Sequence, residues 1–417
     1  MFQKIKGTRD VLSPEVESWT VLESRARHLF QRFGYSEIRP PAMEWTELFA
    51  RGIGEATDIV EKEMYSFSDS QGRSVSLRPE ATAGIVRAFI ENKLYAGPLP
   101  RKLFTIGPMF RHERPQKGRF RQFHQIDVEL FGDPGPAVDA ELIAMGHLYF
   151  SELGLGSLTL FVNSLGCPAC RPEYRSALLG FLASHRERLC EDCRRRLDTN
   201  PLRILDCKVP TCKEVVVNAP CSLDHLCMDC DDHFSNLKRR LDAVEIPYQV
   251  NPRLVRGLDY YSRTAFELVT TQLGAQDAVM GGGRYDGLVE LFGGPPTPAI
   301  GFAIGMERLH LLVGDFAPVK PPDLYVAALG PSALERSFTL VHDLRSAGIS
   351  VDCSYENKSL KSQMKHADRL QARFVCIIGD AEIETGRVLL RNMQTKEQAE
   401  IDLTGIAEQL EPLLTLE

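Results

Sequence analysis

Four arginines, at positions 111, 114, 119 and 121, crowd into eleven residues of a 417-residue chain whose formal net charge is −7. A guanidinium is planar and donates two parallel charged hydrogen bonds, a geometry that phosphate oxygens accept. The stretch around them, TIGPMFRHERPQKGRFRQFHQIDVELF, runs from Thr105 to Phe131. Leu103–Phe110 is apolar and β-prone, and Pro115 and Gly118 mark a turn. Beyond it, Phe123, Gln125, Asp127 and Glu129 alternate with His124, Ile126, Val128 and Leu130. The pattern predicts an antiparallel hairpin with an oversized basic loop. One face is apolar; the other carries carboxylates and an aromatic ring. A solvated charged turn is the plainer reading of such a loop, and an internal ion pair with an arginine is the plainer reading of Glu129.

Other residues invite the same weighing. Glu80 and Thr82 stand at a predicted helix start, where capping alone explains them. Arg256 in RGLDYY and Arg308 in GMERL read by default as surface cations. Gly281–Gly283 read either as a flexible loop or as backbone that must approach a ligand closely.

Nine of the eleven cysteines lie between Cys167 and Cys230, as the Cys-x-x-Cys pairs 167/170, 190/193 and 227/230 plus Cys207, Cys212 and Cys221. No apolar leader follows Met1, so the chain is expected in the cytoplasm. Disulfides are disfavoured there, and paired Cys-x-x-Cys spacing suits zinc knuckles, with reduced free thiols as the alternative. Residues 171–189 read as an amphipathic helix about 28 Å long at 1.5 Å per residue. Such a helix keeps 167/170 and 190/193 off the same metal. The preferred structural Zn2+ site is Cys190, Cys193, Cys227 and Cys230, with Cys167 and Cys170 meeting Cys207 and Cys212 in a second. Either metal is expected to stabilise its own region and leave the chemistry nearly unchanged.

The elements that must position these groups belong to an ordinary globular chain, 43% hydrophobic and 25% charged. No run approaches the roughly 20 apolar residues of a membrane span. A pI near 5.9 excludes bulk nucleic-acid binding through net charge but allows a local basic surface. Ser13-Pro14-Glu15 starts a helix with the stripe Val16, Trp19, Leu22, Ala26 and Leu29. Proline-rich residues 313–322 read as a linker. Alternating strands and helices after it predict a small α/β domain, with Lys358, Lys361, Lys365, Arg369 and Arg373 on a basic surface.

Phe-Arg-x-Glu, a basic loop and Arg-x-x-x-Phe resemble motif 2 of the class II aminoacyl-tRNA synthetases. GPMFRHERPQKGR followed by RQFHQ narrows the resemblance to the family's histidine-specific branch. FGYSEIRPPAMEWTELF resembles motif 1, AIGFAIGMERL motif 3, and GTRD-x-L, RGLDYY and GGGRYDGL further signatures, so the likeness spans essentially the whole chain. Ser13 stands where a proline is usual, and Ala81 where a glycine is.

The resemblance implies ATP contacts from Arg111, Glu113, Arg119, Phe123 and Arg308, with Arg256 and Arg111 countering charge in the reaction. It implies histidine contacts from Glu80, Thr82, Gln125, Glu129, Tyr261 and Tyr285. Arg114, Gln116 and Lys117 would meet the tRNA acceptor end. The implied fold is α+β: a six- or seven-stranded antiparallel sheet flanked by helices, a small helical insertion and an anticodon-binding α/β domain. The boundaries are 1–166 and 241–312 for the catalytic domain, 167–240 for the insertion, 313–322 for the linker and 323–417 for the last domain. The implied activity is ATP-dependent charging of tRNA(His) with L-histidine, with Mg2+ accompanying ATP, by a homodimer built on motif 1. A histidine-sensing regulatory subunit of ATP phosphoribosyltransferase would keep this fold but lose the ATP arginines and the last domain.

Overall fold

The computed structural model describes residues 2–55, 57–273 and 278–414. A short strand β1 (Ser36–Glu37) runs parallel to β2 (Arg101–Phe110), which pairs antiparallel with β3 (Gln122–Phe131). This is the predicted hairpin, in register from Arg101↔Phe131 to Phe110↔Gln122. The sheet continues through β4 (Thr159–Ser164), β5 (Tyr248–Val250), β6 (Ser262–Val269), β7 (Ala278–Arg284) and β8 (Ala299–Gly305). Its spatial order is β1-β2-β3-β8-β7-β6-β4-β5. The six inner strands are antiparallel, and β1 and β5 add parallel edges. The sheet therefore has eight strands, not six or seven. Edge strands of two and three residues are too short to leave an alternating signature.

The apolar face of β3 packs under α1 (Glu15–Arg32) and α3 (Pro136–Glu152). Trp19, Leu22, Ala26 and Leu29 of the predicted stripe are buried with Phe104, Ile126 and Val128. Val16 is 38% exposed instead. The first turn is tied by polar contacts, Arg9 to Glu15 and the Trp19 indole N–H to Glu15 at 3.1 Å.

A polar node sits inside this apolar frame. Arg284 ends β7, and Asp139 lies in the first turn of α3; both side chains are completely buried. Arg284 Nε donates to Asp139 Oδ1 at 2.8 Å, and its other nitrogens reach Asp286 and the carbonyls of Asp133 and Gly135. Asp139 Oδ2 also accepts from the Thr264 hydroxyl at 2.5 Å and lies 2.8 Å from His233 Nε2. A buried charge is tolerable only when paired and saturated with hydrogen bonds, as this one is.

The cysteine-rich stretch is helical, beginning with α4 (Arg171–Ser184). That helix stops earlier than predicted, and a 3-10 turn follows at Arg186–Arg188. Tyr174, Leu178, Leu182, Leu197, Ile204 and Val215 form a separate small core. The closing helix α5 (Met228–Ala243) instead sends Phe234, Leu237 and Leu241 into the main core.

The chain forms two compact units, Met1–Pro318 and Val319–Glu417. In the second unit, β9 (Leu324–Leu329), β10 (Val351–Cys353), β11 (Phe374–Gly379), β12 (Arg387–Asn392) and β13 (Gln398–Asp402) are ordered β10-β9-β11-β12-β13. The first three are parallel and the last two antiparallel. Lys358, Lys365 and Arg369 line a cleft there with Tyr355 and His366. Arg373 does not join them; it pairs with Asp323 at 3.5 Å and donates to the Leu414 carbonyl.

Asp139→Ala leaves the buried Arg284 guanidinium with Asp286 alone as counter-charge and its Nε unsatisfied, so it should cost about 3 kcal/mol. Urea unfolding read by circular dichroism measures the loss.

Candidate active site

The polar face of β3 lines a cavity, as its alternation predicted. Phe123, Gln125, Asp127 and Glu129 all reach it. Register sets Glu129 opposite Gly301 of β8, and a Cβ at Gly301 would overlap Glu129 Oε2. Glycine is what lets the carboxylate lie against the neighbouring strand. Glu129 is held by hydroxyls and not by an arginine: Thr82 Oγ1 donates at 2.6 Å, and Tyr285 donates from behind. Tyr285 is buried and does not line the cavity, which corrects its expected place in the wall. Tyr260 and Tyr261 line it. Tyr260 escaped the sequence reading because one tyrosine of a pair was singled out.

Glu80 has two surroundings at once. Its carboxylate caps α2 (Thr82–Glu91), accepting from the amides of Thr82 at 2.7 Å and Ala83 at 2.9 Å, and it lines the cavity. Glu80, Asp127 and Glu129 thus place three buried carboxyls on one wall. Burial raises the pKa of all three, well above the ordinary carboxylate range for Asp127 and Glu129. The charge of Glu80 pushes Asp127 further up, and Asp127 Oδ2 has no hydrogen-bond partner. Arg78, whose charge counters this rise, donates to the carbonyls of Pro40 and Pro108 at 2.9 and 2.8 Å. A wall of this kind recognises an ammonium or another cationic nitrogen donor.

The same cavity also carries cations. Arg111, Arg119, Arg256 and Arg308 line the same cavity. Arg111 donates Nε to the Pro79 carbonyl at 2.8 Å, and its guanidinium carbon stands 5.3 Å from the Phe123 ring centroid. Glu113 lies 2.8 Å from Arg119 and 3.9 Å from Arg111. Arg308 projects from the first turn of α6 (Met306–Val313), which begins at Gly305 as predicted, and donates to the Ala278 carbonyl at 2.7 Å. Burial, with the charges of Arg119 and Arg111, lowers its pKa. Such a site gains from an anion, and the combination of forks with the Phe123 face suits a nucleotide triphosphate.

Arg256 bonds Glu267 at 3.0 Å and stands 5.7 Å from the Tyr261 ring centroid. The three consecutive glycines explain how it fits. They lie inside β7, not in a loop: a Cβ at Gly281 would overlap the Arg256 guanidinium, and one at Gly282 would overlap the Gly301 carbonyl. The close approach is to protein, not only to ligand.

The remaining hairpin residues divide. Arg114, Gln116 and Lys117 do not line the cavity. Arg121 braces the loop from beneath, donating to the carbonyls of Glu113 and Lys6, while its own amide donates to the Gly7 carbonyl at 2.7 Å. Gly7 has φ +90°, and a Cβ there would crowd Arg121 and Pro115. That is the structural use of the GTRD segment. Glu307, also unforeseen, takes the His124 amide at 3.0 Å and so fixes β3 to α6. A first-turn glutamate reads as a helix-dipole residue, and nothing local shows that it spans to another strand. Glu267 was detectable as an acid within the apolar β6.

The cysteines gather into two tetrads whose sulfurs lie within 4.8 Å of one another: Cys167, Cys170, Cys227 and Cys230, and Cys190, Cys193, Cys207 and Cys212. The expected separation of 167/170 from 190/193 holds. The preferred set of 190/193 with 227/230 does not, because α5 returns to the start of the insertion, whereas Cys207 and Cys212 stay within its small core.

Residues 7–309 match the family described as Histidyl-tRNA synthetase, and residues 323–412 the family Anticodon binding domain. A histidine–tRNA ligase of Desulfatibacillum aliphaticivorans is 54% identical across 99% of each chain. One from Geobacter metallireducens is 54% identical across 98% of this chain and 100% of its own. The crystal structure of apo S. aureus histidyl-tRNA synthetase superposes with a TM-score of 0.82 at 38% identity, covering 98% of this chain and 100% of the other.

The raised carboxyl pKa values carry a pH signature. Between the ordinary carboxylate range and the raised folded values, the folded state binds more protons than the unfolded, so these groups cost stability as pH rises. Glu129→Gln removes one of them. Its melting temperature relative to the native protein should therefore improve from pH 5 to pH 8, as differential scanning calorimetry on the ligand-free protein would record.

Proposed function

The chain belongs to the histidyl-tRNA synthetase family, and from that premise we propose how its cavity divides the work. The protein activates L-histidine with ATP to histidyl-adenylate and transfers the histidyl group to tRNA(His). The observation that carries the residue assignment is that one cavity gathers the buried carboxyls of Glu80, Asp127 and Glu129 together with Arg111, Arg119, Arg256 and Arg308. Glu80 and Thr82 take the substrate's α-ammonium group. Glu129 and Gln125, with Tyr261, take the imidazole, and Tyr285 acts through Glu129 as a positioning residue.

Arg111, Arg119 and Arg308 grip the triphosphate while Phe123 stacks on adenine and Glu113 accepts from its amino group. Mg2+ arrives with ATP and neutralises phosphate charge. The histidine carboxylate attacks the α-phosphorus in line, the bond to the bridging oxygen breaks, and pyrophosphate leaves. Negative charge concentrates on the α-phosphoryl oxygens in that transition state, where Arg111 and Arg256 are already held in place. The substrate supplies the nucleophile, so no side chain needs to form a covalent intermediate. In the second step a terminal ribose hydroxyl of the tRNA attacks the acyl carbon and AMP departs. Arg114, Gln116 and Lys117, outside the cavity on the hairpin loop, receive the acceptor end.

The anticodon arm is assigned to the second unit, whose cleft combines Lys358, Lys365 and Arg369 with the exposed ring of Tyr355; cations with a stacking face suit single-stranded nucleotides. A homodimer is supported by Met43, Trp45 and Phe67, apolar yet 55%, 47% and 47% exposed on the small sheet beside the motif 1 segment. We place the enzyme in the cytoplasm; no helix among the described residues is long and apolar enough to cross a membrane. The cysteine tetrads are read as structural Zn2+ sites, since four thiolates suit that ion.

Histidine-dependent exchange of pyrophosphate into ATP tests the whole reading; exchange that proceeds equally without histidine would remove it. Arg256→His should lower kcat for exchange about 100-fold or more, the scale of losing one preorganised donor to a developing oxyanion. Histidine affinity by calorimetry should stay within about threefold, because the lost interaction belongs to the transition state.

A further inference from the structure

Each thiolate tetrad stands beside an arginine that grips the backbone of the catalytic segment. Cys170 is followed directly by Arg171, whose Nη2 donates to the Tyr261 carbonyl and whose Nε donates to the Leu165 carbonyl at 3.5 Å. The other tetrad brackets the turn Pro201–Asp206, which ends on Cys207. From that turn Arg203 donates to the Arg256 carbonyl at 3.2 Å, and the neighbouring Asn200 donates to Asp259 at 2.6 Å. Leu205, Asp206 and Lys208, on either side of Cys207, line the catalytic cavity. The segment carrying Arg256, Tyr260 and Tyr261 is thus held at both ends from the cysteine-rich region.

The sulfur geometry matches a metal. A tetrahedron with 2.3 Å metal–sulfur bonds has sulfur–sulfur edges of about 3.8 Å. The observed separations are 3.8 Å for 167–227, 167–170 and 170–230, and 3.9 Å for 190–207. Disulfides would bring pairs to about 2.05 Å and leave no reason for fours. The Cys167 and Cys190 amides donate to the sulfurs of Cys170 and Cys212 at 3.1 and 3.2 Å, contacts that favour thiolates.

We propose that the two tetrads each bind a Zn2+ ion and that the ions serve as a two-ended clamp, fixing the Arg256–Tyr261 segment through Arg171 and Arg203. The clamp rests on the Zn2+ reading above and adds to it that the metals govern catalytic geometry, where the sequence led us to expect an effect confined to the insertion. Metal binding sends the thiol protons to solvent, leaves four thiolates on each ion and requires no oxidant. Arg171 and Arg203 are positioning residues; they meet the backbone of the site, not the substrates.

The test uses the full chain purified without chelator. Elemental analysis should find two zinc ions per chain, one for each tetrad; less than about 0.2 equivalents overturns the metal reading and the clamp together. Cys193→Ser and Cys230→Ser should each lose one ion and lower kcat for histidine-dependent exchange about tenfold, with the ATP KM within about twofold. Arg203→Met should keep both ions and still reproduce the kcat loss, which metal-dependent folding alone would not produce. Should a cysteine variant fail to fold, stripping the native protein with 1,10-phenanthroline, which leaves Mg2+ with ATP, and restoring Zn2+ should give the same loss and recovery. Two bound ions with unchanged exchange in Arg203→Met and in the stripped protein would overturn the clamp and leave the metal sites standing.

Discussion

The buried pair of Arg284 and Asp139 is the constraint on which the catalytic domain closes. Its partners come from both sides of the insertion: Asp139 from α3 precedes it, while His233, Thr264 and Arg284 lie at its end or beyond. A guanidinium at zero exposure cannot be left partly satisfied, so these elements have one acceptable arrangement. That arrangement fixes the end of β7, and with it the glycines that admit Arg256 on one side and the Gly301 backbone on the other. The same node anchors α5, which brings Cys227 and Cys230 back to Cys167 and Cys170.

What the scaffold then exposes is a gathering of charged groups on one cavity. Glu113 and Glu267 pair there with Arg119 and Arg256, whereas Glu80 and Glu129 are held by backbone amides and hydroxyls. Arg111 and Arg308 in turn donate to backbone carbonyls. Charges held by neutral partners keep their field for a substrate. Histidine and ATP carry complementary groups, an ammonium and an imidazole that suit carboxylates and phosphates that suit guanidinium groups. Burial is the first cause both of the raised carboxyl pKa values and of the lowered pKa of Arg308.

Much of this was legible in the chain because β3 is wet on one face and dry on the other. Period-two alternation then names both the core residues and the cavity residues of the hairpin. Glu80 shows where such reading stops being exclusive, since capping and lining the cavity proved compatible. Tyr285 and Glu307 were misplaced or missed because their roles depend on which strand lies behind or across from them. The cysteines make the same point. A helix of known rise could forbid one combination, but choosing among the rest required knowing that α5 doubles back. The edge strand β5, three residues long, was lost for want of length.

The pairing of Glu129 with Gly301 joins residues about 170 positions apart, a separation that makes pairing late as well as slow. During synthesis at about 5–20 residues per second, β3 waits on the order of 10–30 s for its neighbour β8. Throughout that interval the nascent hairpin presents Ile126, Val128 and Leu130 on one side and an unpaired backbone edge along its length. The helices α1 and α3, one made before β3 and the other directly after it, are available to cover the apolar side. The open edge has no such early cover, so it stays exposed to wrong pairing until β8 arrives.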